Sequence, residues 1–428
     1  MTPSQRTILS VVLATASSLG CGAAPSDGDL ASLQSAVTGN IVISGRVTNS
    51  SGGGLSNVTV TLAGSASTSQ QTNATGAYSF GGLATGSYSV RPTRTNCAFS
   101  PTVANLNNIN TSVTRNFVGS GSGCVASAPV TPITRKYMSL IYNPIIESAG
   151  GARIITLKGW NNPDTLASQF VADVATASHN LATYVAGPRV ELDAYPVKED
   201  GFQYTDATFM ACQDNVANCH KPAQDMGFGY AIDYLAMLNS QNICARFNAG
   251  EFDELWMFGA PFMGFWEANQ AGTQAINTNG PIVVGSTCQG RLNIFGFAYH
   301  VGVANMLHDY SHRINGTLFT LLPNGGSVYE QFQRSDLLNP GQAQCGATHW
   351  TPTSGFEYDY NNTRNVTSSC ADWLNYPNRT GATTTISCAA WGCDERQYHI
   401  WWMQHLPHVA GVASDGSTNN WWTYILAR

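Results

Sequence analysis

The sequence predicts a multidomain chain of two folded units: a small antiparallel β-sandwich over residues 41–118, then an α/β domain over 136–428 with a mostly parallel sheet and an aromatic, loop-rich C-terminal part. Three observations predict it. The first stretch consists of short segments alternating β-branched and polar residues between Gly/Asn/Ser turns, the pattern of strands with one buried face. In the second, apolar runs of strand length alternate with segments of helical period, as expected for strands joined by crossover helices. Residues 119–135 between them are rich in Gly, Ser, Ala and Pro and read as a linker. A chain of 428 residues accommodates both units at ordinary domain sizes.

At the N-terminus, Arg6 precedes an apolar run over 8–19 that ends in Ser18-Leu19-Gly20-Cys21. The run is too short to span a bilayer, but it has the charged start, apolar middle and small-residue end of a signal peptide over 1–20. Its ending resembles a lipobox, with Ser18 where that motif prefers Leu. The resemblance implies cleavage before Cys21 and acylation of its thiol, the alternative being an ordinary signal peptide cut near Ala23-Ala24. Cysteine parity agrees: lipidating Cys21 leaves ten of eleven cysteines, an even number suited to disulfides. Of these, Cys212/Cys219 and Cys388/Cys393 are close enough to close small loops and Cys97 is within reach of Cys124, while the full connectivity stays open. No pair has the C-x-x-C spacing of zinc ribbons or thioredoxin-like sites. Residues 21–40 read as a flexible tether. The expected location is the outer membrane or cell surface as a lipoprotein, or the medium, with membrane contact only through the lipid.

In the first unit, strands are expected at 41–48, 50–54, 58–62, 78–80, 88–92 and 113–117. The phrases Ser44-Gly45-Arg46-Val47, Leu55-Ser56-Asn57-Val58-Thr59-Val60, Gly76-Ala77-Tyr78-Ser79-Phe80 and Leu83-Ala84-Thr85-Gly86-Ser87-Tyr88-Ser89-Val90 resemble the carboxypeptidase regulatory-like module, a transthyretin-like sandwich. The resemblance implies a spacer or adhesion module without chemistry of its own.

In the second unit, a strand at 137–142 is followed by a helix from Pro163-Asp164 on, carried by Leu166, Phe170, Val171 and Val174. A strand at 183–192, a helix at 227–238, and strands at 254–259 and 292–299 come next, the last feeding a helix over 301–314. After Pro340 no element is assigned; this part is expected to wrap over the sheet ends, where ligands bind in open α/β folds. The domain also resembles secreted bacterial proteins ending in Asn-Asn-Trp-Trp, here residues 419–422, which implies no particular activity.

Charged residues make up only 11% of the chain and the net charge is −6, with no Lys/Arg-rich run, so nucleic acid is excluded as an expected partner. There is no G-x-S-x-G elbow, Walker loop, G-x-G-x-x-G or EF-hand loop. The sharpest chemical signal is His308-Asp309-Tyr310-Ser311-His312. Histidines at i and i+4 stand one turn apart and can meet one Zn²⁺. The motif resembles the zincin HExxH with Asp309 in place of Glu, one methylene shorter and farther from the water it would activate. At 100° per residue, Val303, Leu307, Tyr310 and Ile314 form a core stripe, and Asn305, His308, His312 and Asn315 share the other face. The competing reading is a solvated polar face with two incidental histidines.

His300, at a strand's C-terminal end, is a candidate further ligand, and others are His349, Glu357, Glu267 and the histidines of 397–408, of which His408 after Pro407 is freest to point at a site. Trp266 and Glu267 follow the strand that ends in Gly259 and Pro261, placing a carboxylate at the sheet rim as a general acid or base; the alternative is an ion pair with Arg291 or Arg313. All ten Trp lie after residue 159, which suits either a core or sugar-stacking platforms. The expected activity is zinc-dependent hydrolysis of an extracellular polymer, peptide first and polysaccharide second, with His308, His312 and His300 on the metal, Asp309 or Glu267 assisting water, and His408 and Trp266 at the binding surface. The alternative is a non-catalytic surface protein that binds carbohydrate or a protein partner.

Overall fold

The computed structural model describes residues 39–428 apart from 74, 125–129, 221–230, 378 and 414. The leader, Cys21 and most of the tether lie outside the described residues, as does the first part of the helix expected at 227–238.

The first unit is two antiparallel-rich sheets. One pairs Ala77–Leu83, Ile41–Asn49, Phe117–Ser120 and Ala98–Ser100 in that order, and the other pairs Thr68–Gln71, Thr59–Gly64, Gly86–Thr93 and Ala104–Ile109. Alternate side chains such as Ile43, Val47, Val60, Leu62, Tyr88 and Val90 turn inward to one core, which the Cys97–Cys124 disulfide closes. The stretch expected as a strand at 50–54 is a turn instead, because the Asn49 carboxamide accepts from the amides of Ser51 and Gly53 at 3.1 and 2.8 Å. The strand Thr68–Gln71 has no apolar alternation and is held at the sheet edge by backbone pairing alone.

In the second unit, five strands form one sheet: β1 (Ile133–Tyr142), β2 (Ala182–Leu192), β3 (Glu254–Gly259), β4 (Ala268–Ala271) and β5 (Leu292–Ala298). Their spatial order is β2-β1-β3-β5-β4, all parallel except β4, which runs antiparallel to β5. Strand β3 is buried throughout, as its continuous apolar run requires of a central parallel strand. Helix α1 (Pro163–Ala177) begins on an Asn162 cap with Pro163 in the first turn. Helix α2 (Val303–Leu321) follows β5 and runs past the expected end to the residue before Leu322-Pro323, where the proline disfavours further helix. Helix α3 (Glu395–Gln404) packs on both.

The core of this unit is aromatic. Tyr137 stacks on Trp256 at 3.8 Å, and Phe170 and Phe297 meet the same indole edge-on. Trp421 and Trp422 are both fully buried rather than one in and one out, and only Trp266 among the ten is exposed, so the tryptophans are chiefly core. One ion pair is buried with them: Arg313 on α2 meets Glu254 on β3 at 2.6 Å, with Tyr184 at 3.2 Å and the carbonyl of Ile425 on its other nitrogen.

The short strand β4, unforeseen from sequence, matters for the site. Its outer side is taken by the chain's own residues: the carbonyl of Ala268 accepts from Gly280 N and Thr278 Oγ1, both at 2.7 Å, and that of Gln270 from Val283 N at 2.8 Å. The covering segment crosses α2 at Gly316, where a Cβ would lie 2.7 Å from both Asn277 O and Thr278 Cα, so only glycine permits the approach.

All ten cysteines after Cys21 are paired: besides Cys97–Cys124 the bonds are Cys212–Cys219, Cys244–Cys288, Cys345–Cys370 and Cys388–Cys393. Among the described residues no helix is long and apolar enough to cross a membrane.

Candidate metal centre

Helix α2 buries Val303, Leu307, Tyr310 and Ile314, the stripe its period predicts. The face carrying the histidines is covered as well, by the segment around 346–360, which explains why no Lys or Glu stands on it. Thr348 Oγ1 accepts from Ser311 Oγ at 3.0 Å and from Asn315 Nδ2 at 2.6 Å. The covering loop is fixed from behind by α3: Trp402 Nε1 donates to Gly346 O at 2.8 Å and Tyr398 Oη to Ala347 O at 2.9 Å. Cys345–Cys370 ties its start. The next side chain is therefore delivered onto α2, and it is His349.

The Nε2 atoms of His308, His312 and His349 form a triangle with edges of 3.1, 3.3 and 3.2 Å. A tetrahedral ion with Zn–N bonds of about 2.0–2.1 Å separates its ligands by about 3.3–3.4 Å, so the triangle already has the size of one face of such a site. Burial, then the neighbouring His312 and His349, holds His308 down to about 3; burial, then His349, holds His312 down to about 4. Both imidazoles are neutral at physiological pH, with a lone pair to offer. His349 Nδ1 donates to Glu357 Oε1 at 2.7 Å, which fixes its tautomer and aims Nε2 at the other two nitrogens. Of the candidates for a further ligand, His349 stands in the triangle and Glu357 stands behind it.

Glu267 immediately precedes β4 and completes the cluster. Its Oε2 lies 3.3 Å from His312 Nε2 and its Oε1 3.9 Å from His308 Nε2. Asn279, on the segment that covers β4, donates to Oε2 at 2.7 Å, and burial raises the carboxyl above its usual range. The pairing with Arg291 or Arg313 does not form: Arg313 is taken by Glu254, and Arg291 donates to Gln274 O at 3.0 Å. Tyr358 was not foreseen. Its hydroxyl lies 3.3 Å from His349 Nε2 and its ring 4.4 Å from that imidazole. It adopts φ 64°, rare for an aromatic residue, with its amide donating to His349 O at 2.9 Å. No periodicity or motif marks it, because only the fold of the covering loop brings it there.

The other sequence candidates lie elsewhere or play other parts. Asp309, expected beside the water, is 1% exposed with neither carboxyl oxygen hydrogen-bonded, and burial, then the charges of Glu267 and Glu395, pushes it well up towards its neutral form. His300 is exposed, edge-on to Trp160, and belongs to no cluster of possible ligands among the described residues. Trp266 is 38% exposed beside Glu267, packed over Gly280. His408 is not free to reach the centre: it stacks on His179 at 4.1 Å and its Nδ1 donates to Leu406 O at 2.8 Å.

That stack has a consequence for stability. Burial, then the charge of nearby His179 and the weaker effect of His405, hold His408 at about 4. A folded pKa below the ordinary ~6.5 means that the contribution is present above the unfolded value and is lost as pH falls from about 6.5 towards 4. Thermal melts across that range should show a decline in which His408 accounts for about 1–3 kcal/mol, and His408→Gln should flatten it. An unchanged acid slope in that variant would refute the assignment.

The model of the carboxypeptidase regulatory-like domain family matches residues 42–117, which form the β-sandwich described above. No curated protein matches the chain. Similar solved structures include a streptococcal ancillary pilin, at 12% identity and TM-score 0.17 over 23% of this chain and 36% of that one. Another is the Bacillus anthracis TIE protein, at 10% identity and TM-score 0.17 over 26% of this chain and 23% of that one. The chain thus spans well under two thirds of the length of either structure.

Proposed function

We propose that the unit from Ile133 onward is a divalent-metal-dependent hydrolase of extracellular polymer, carried outside the cell behind a carboxypeptidase regulatory-like spacer and held at the surface through Cys21 or released. Peptide is the first substrate class and polysaccharide the second, since most of the tryptophan suited to sugar stacking is buried in the core. The observation that carries the reading is the triangle of His308, His312 and His349 nitrogens with the Glu267 carboxylate beside it. Three imidazoles are a donor set suited to Zn²⁺ in a catalytic site, where the fourth position stays open to water.

A Zn²⁺ on the three nitrogens supplies Lewis acidity towards water and a substrate carbonyl. The chain's own groups do the rest. Glu267, held by Asn279, takes a proton from water, and its raised pKa brings it nearer the operating pH of a general base. Tyr358 Oη is placed to donate to the oxygen on which charge develops. Glu357 keeps the His349 proton on Nδ1.

A second reading is a non-catalytic surface protein with a closed, structural ion site. It is favoured by the closeness of Glu267 to His312, because a fourth protein ligand would leave no open position. Metal analysis of full-length protein purified without added metal tests both readings. Bound zinc is expected, falling by one equivalent per chain in His312→Ala and again in the separate variant His349→Ala. Protein that folds without metal, and variants that match it in stability, would overturn the metal site.

A further inference from the structure

A second set of donors adjoins His308 from the first turn of α3. The His399 ring stands perpendicular to that of His308, with centroids 5.6 Å apart. Glu395 Oε1 lies 4.0 Å from His399 Nε2, one helical turn away. One donor atom each from His308, Glu395 and His399 lie within 4.8 Å of one another. His399 is fully buried, and neither of its ring nitrogens has a hydrogen-bond partner among the described residues. The nearby Tyr360 ring, 5.5 Å away, cannot supply one, because its hydroxyl donates to Thr348 O at 2.8 Å. Asp309, next to His308, is buried with both oxygens unpartnered.

A neutral imidazole presents one N–H and one lone pair, and buried polar atoms in native proteins nearly always have a partner. Two unpartnered nitrogens on a fully buried imidazole that adjoins a metal-ligand histidine point to an occupant. The remaining donors are an imidazole and a carboxylate at i and i+4, and a carboxylate can only accept when ionised.

We infer that His399 and Glu395, together with a ring nitrogen of His308, hold a second divalent cation, so that the centre is dinuclear. His308 is the shared ligand. Its Nε2 belongs to the triangle with His312 and His349, so holding the inner ion as well takes its second ring nitrogen, whose N–H proton passes to solvent and leaves an imidazolate bridging the two ions. The inference rests on the proposed metal reading only through His308; His399 and Glu395 belong to the inner ion alone.

The test is a titration of the metal-stripped full chain with Zn²⁺ and with Co²⁺, followed by elemental analysis after desalting. Two equivalents per chain are expected, one in His399→Ala and one in Glu395→Gln, the latter a half-exposed side chain whose replacement leaves packing intact. His349→Ala should lose the other equivalent and keep the inner one. Three results overturn the inference. A single equivalent in the parent, lost in His349→Ala and kept in His399→Ala and Glu395→Gln, shows the triangle alone, with water on His399. Two equivalents unaffected by both α3 variants place the second ion elsewhere. No bound ion in the parent removes the triangle reading as well.

Discussion

Glu267→Gln is expected to lower hydrolysis of a denatured protein substrate by about 100- to 10,000-fold, the range general-base removal usually costs, with bound zinc unchanged. The substitution keeps the size of the side chain and its contact with Asn279, but an amide cannot take the water's proton. Glu267 Oε2 is the carboxylate oxygen closest to the triangle, 3.3 Å from His312 Nε2, whereas the Asp309 oxygens are enclosed and unpartnered. Measuring kcat/KM and metal content on the same preparations separates the two roles open to Glu267. Loss of activity with zinc retained marks a base. Loss of zinc marks a fourth ligand and favours the closed, structural site. Full activity in Glu267→Gln together with inactivity in Asp309→Asn would return the base to the helix, where the HExxH resemblance puts it.

Arg313→Met is expected to destabilise the second unit by about 3–5 kcal/mol, the usual cost of removing one partner of a buried ion pair. Glu254 and Arg313 are each 1% exposed, so the remaining carboxylate would be left without water or a counter-charge. At about 2–4 °C per kcal/mol for units of this size or somewhat smaller, the melting temperature should fall by roughly 6–20 °C. The double variant Glu254→Gln/Arg313→Met should recover much of the loss, because it leaves no lone charge. A single-variant loss below about 1 kcal/mol would show that water reaches the pair. The residue sits directly after His312, so this pair anchors to the sheet the same helix that presents the histidines, and the variant reads stability apart from metal binding.

The long elements were legible in the sequence because each carries its own period. Strand 254–259 is an apolar run after Glu254, and the Val303, Leu307, Tyr310, Ile314 stripe sets which way α2 faces. Strand β4 was not legible, since its four residues, Ala268–Ala271, include Asn269 and Gln270 buried by tertiary contacts. At the centre, His308 and His312 were visible through helical spacing. His349 and Glu357 were visible only as residue types, because what delivers them is a loop held by Tyr398, Trp402 and a disulfide, none of which is local to them. Tyr358 had no signal of its own. His300 and His408 were misplaced for the converse reason: a histidine at the end of an element says nothing of which side chains, such as Trp160 and His179, wait to pack against it.

The segment lying along β4 has a consequence for whatever reaches the histidines. With the carbonyls of Ala268 and Gln270 already engaged by Gly280 and Val283, an incoming chain has no free rung on which to align its own amides. Its main chain would contribute little to affinity there. Selection would fall to side groups that meet the exposed rings of Trp266 and Tyr358, so branched, cross-linked or decorated polymers should compete on equal terms with a bare extended one.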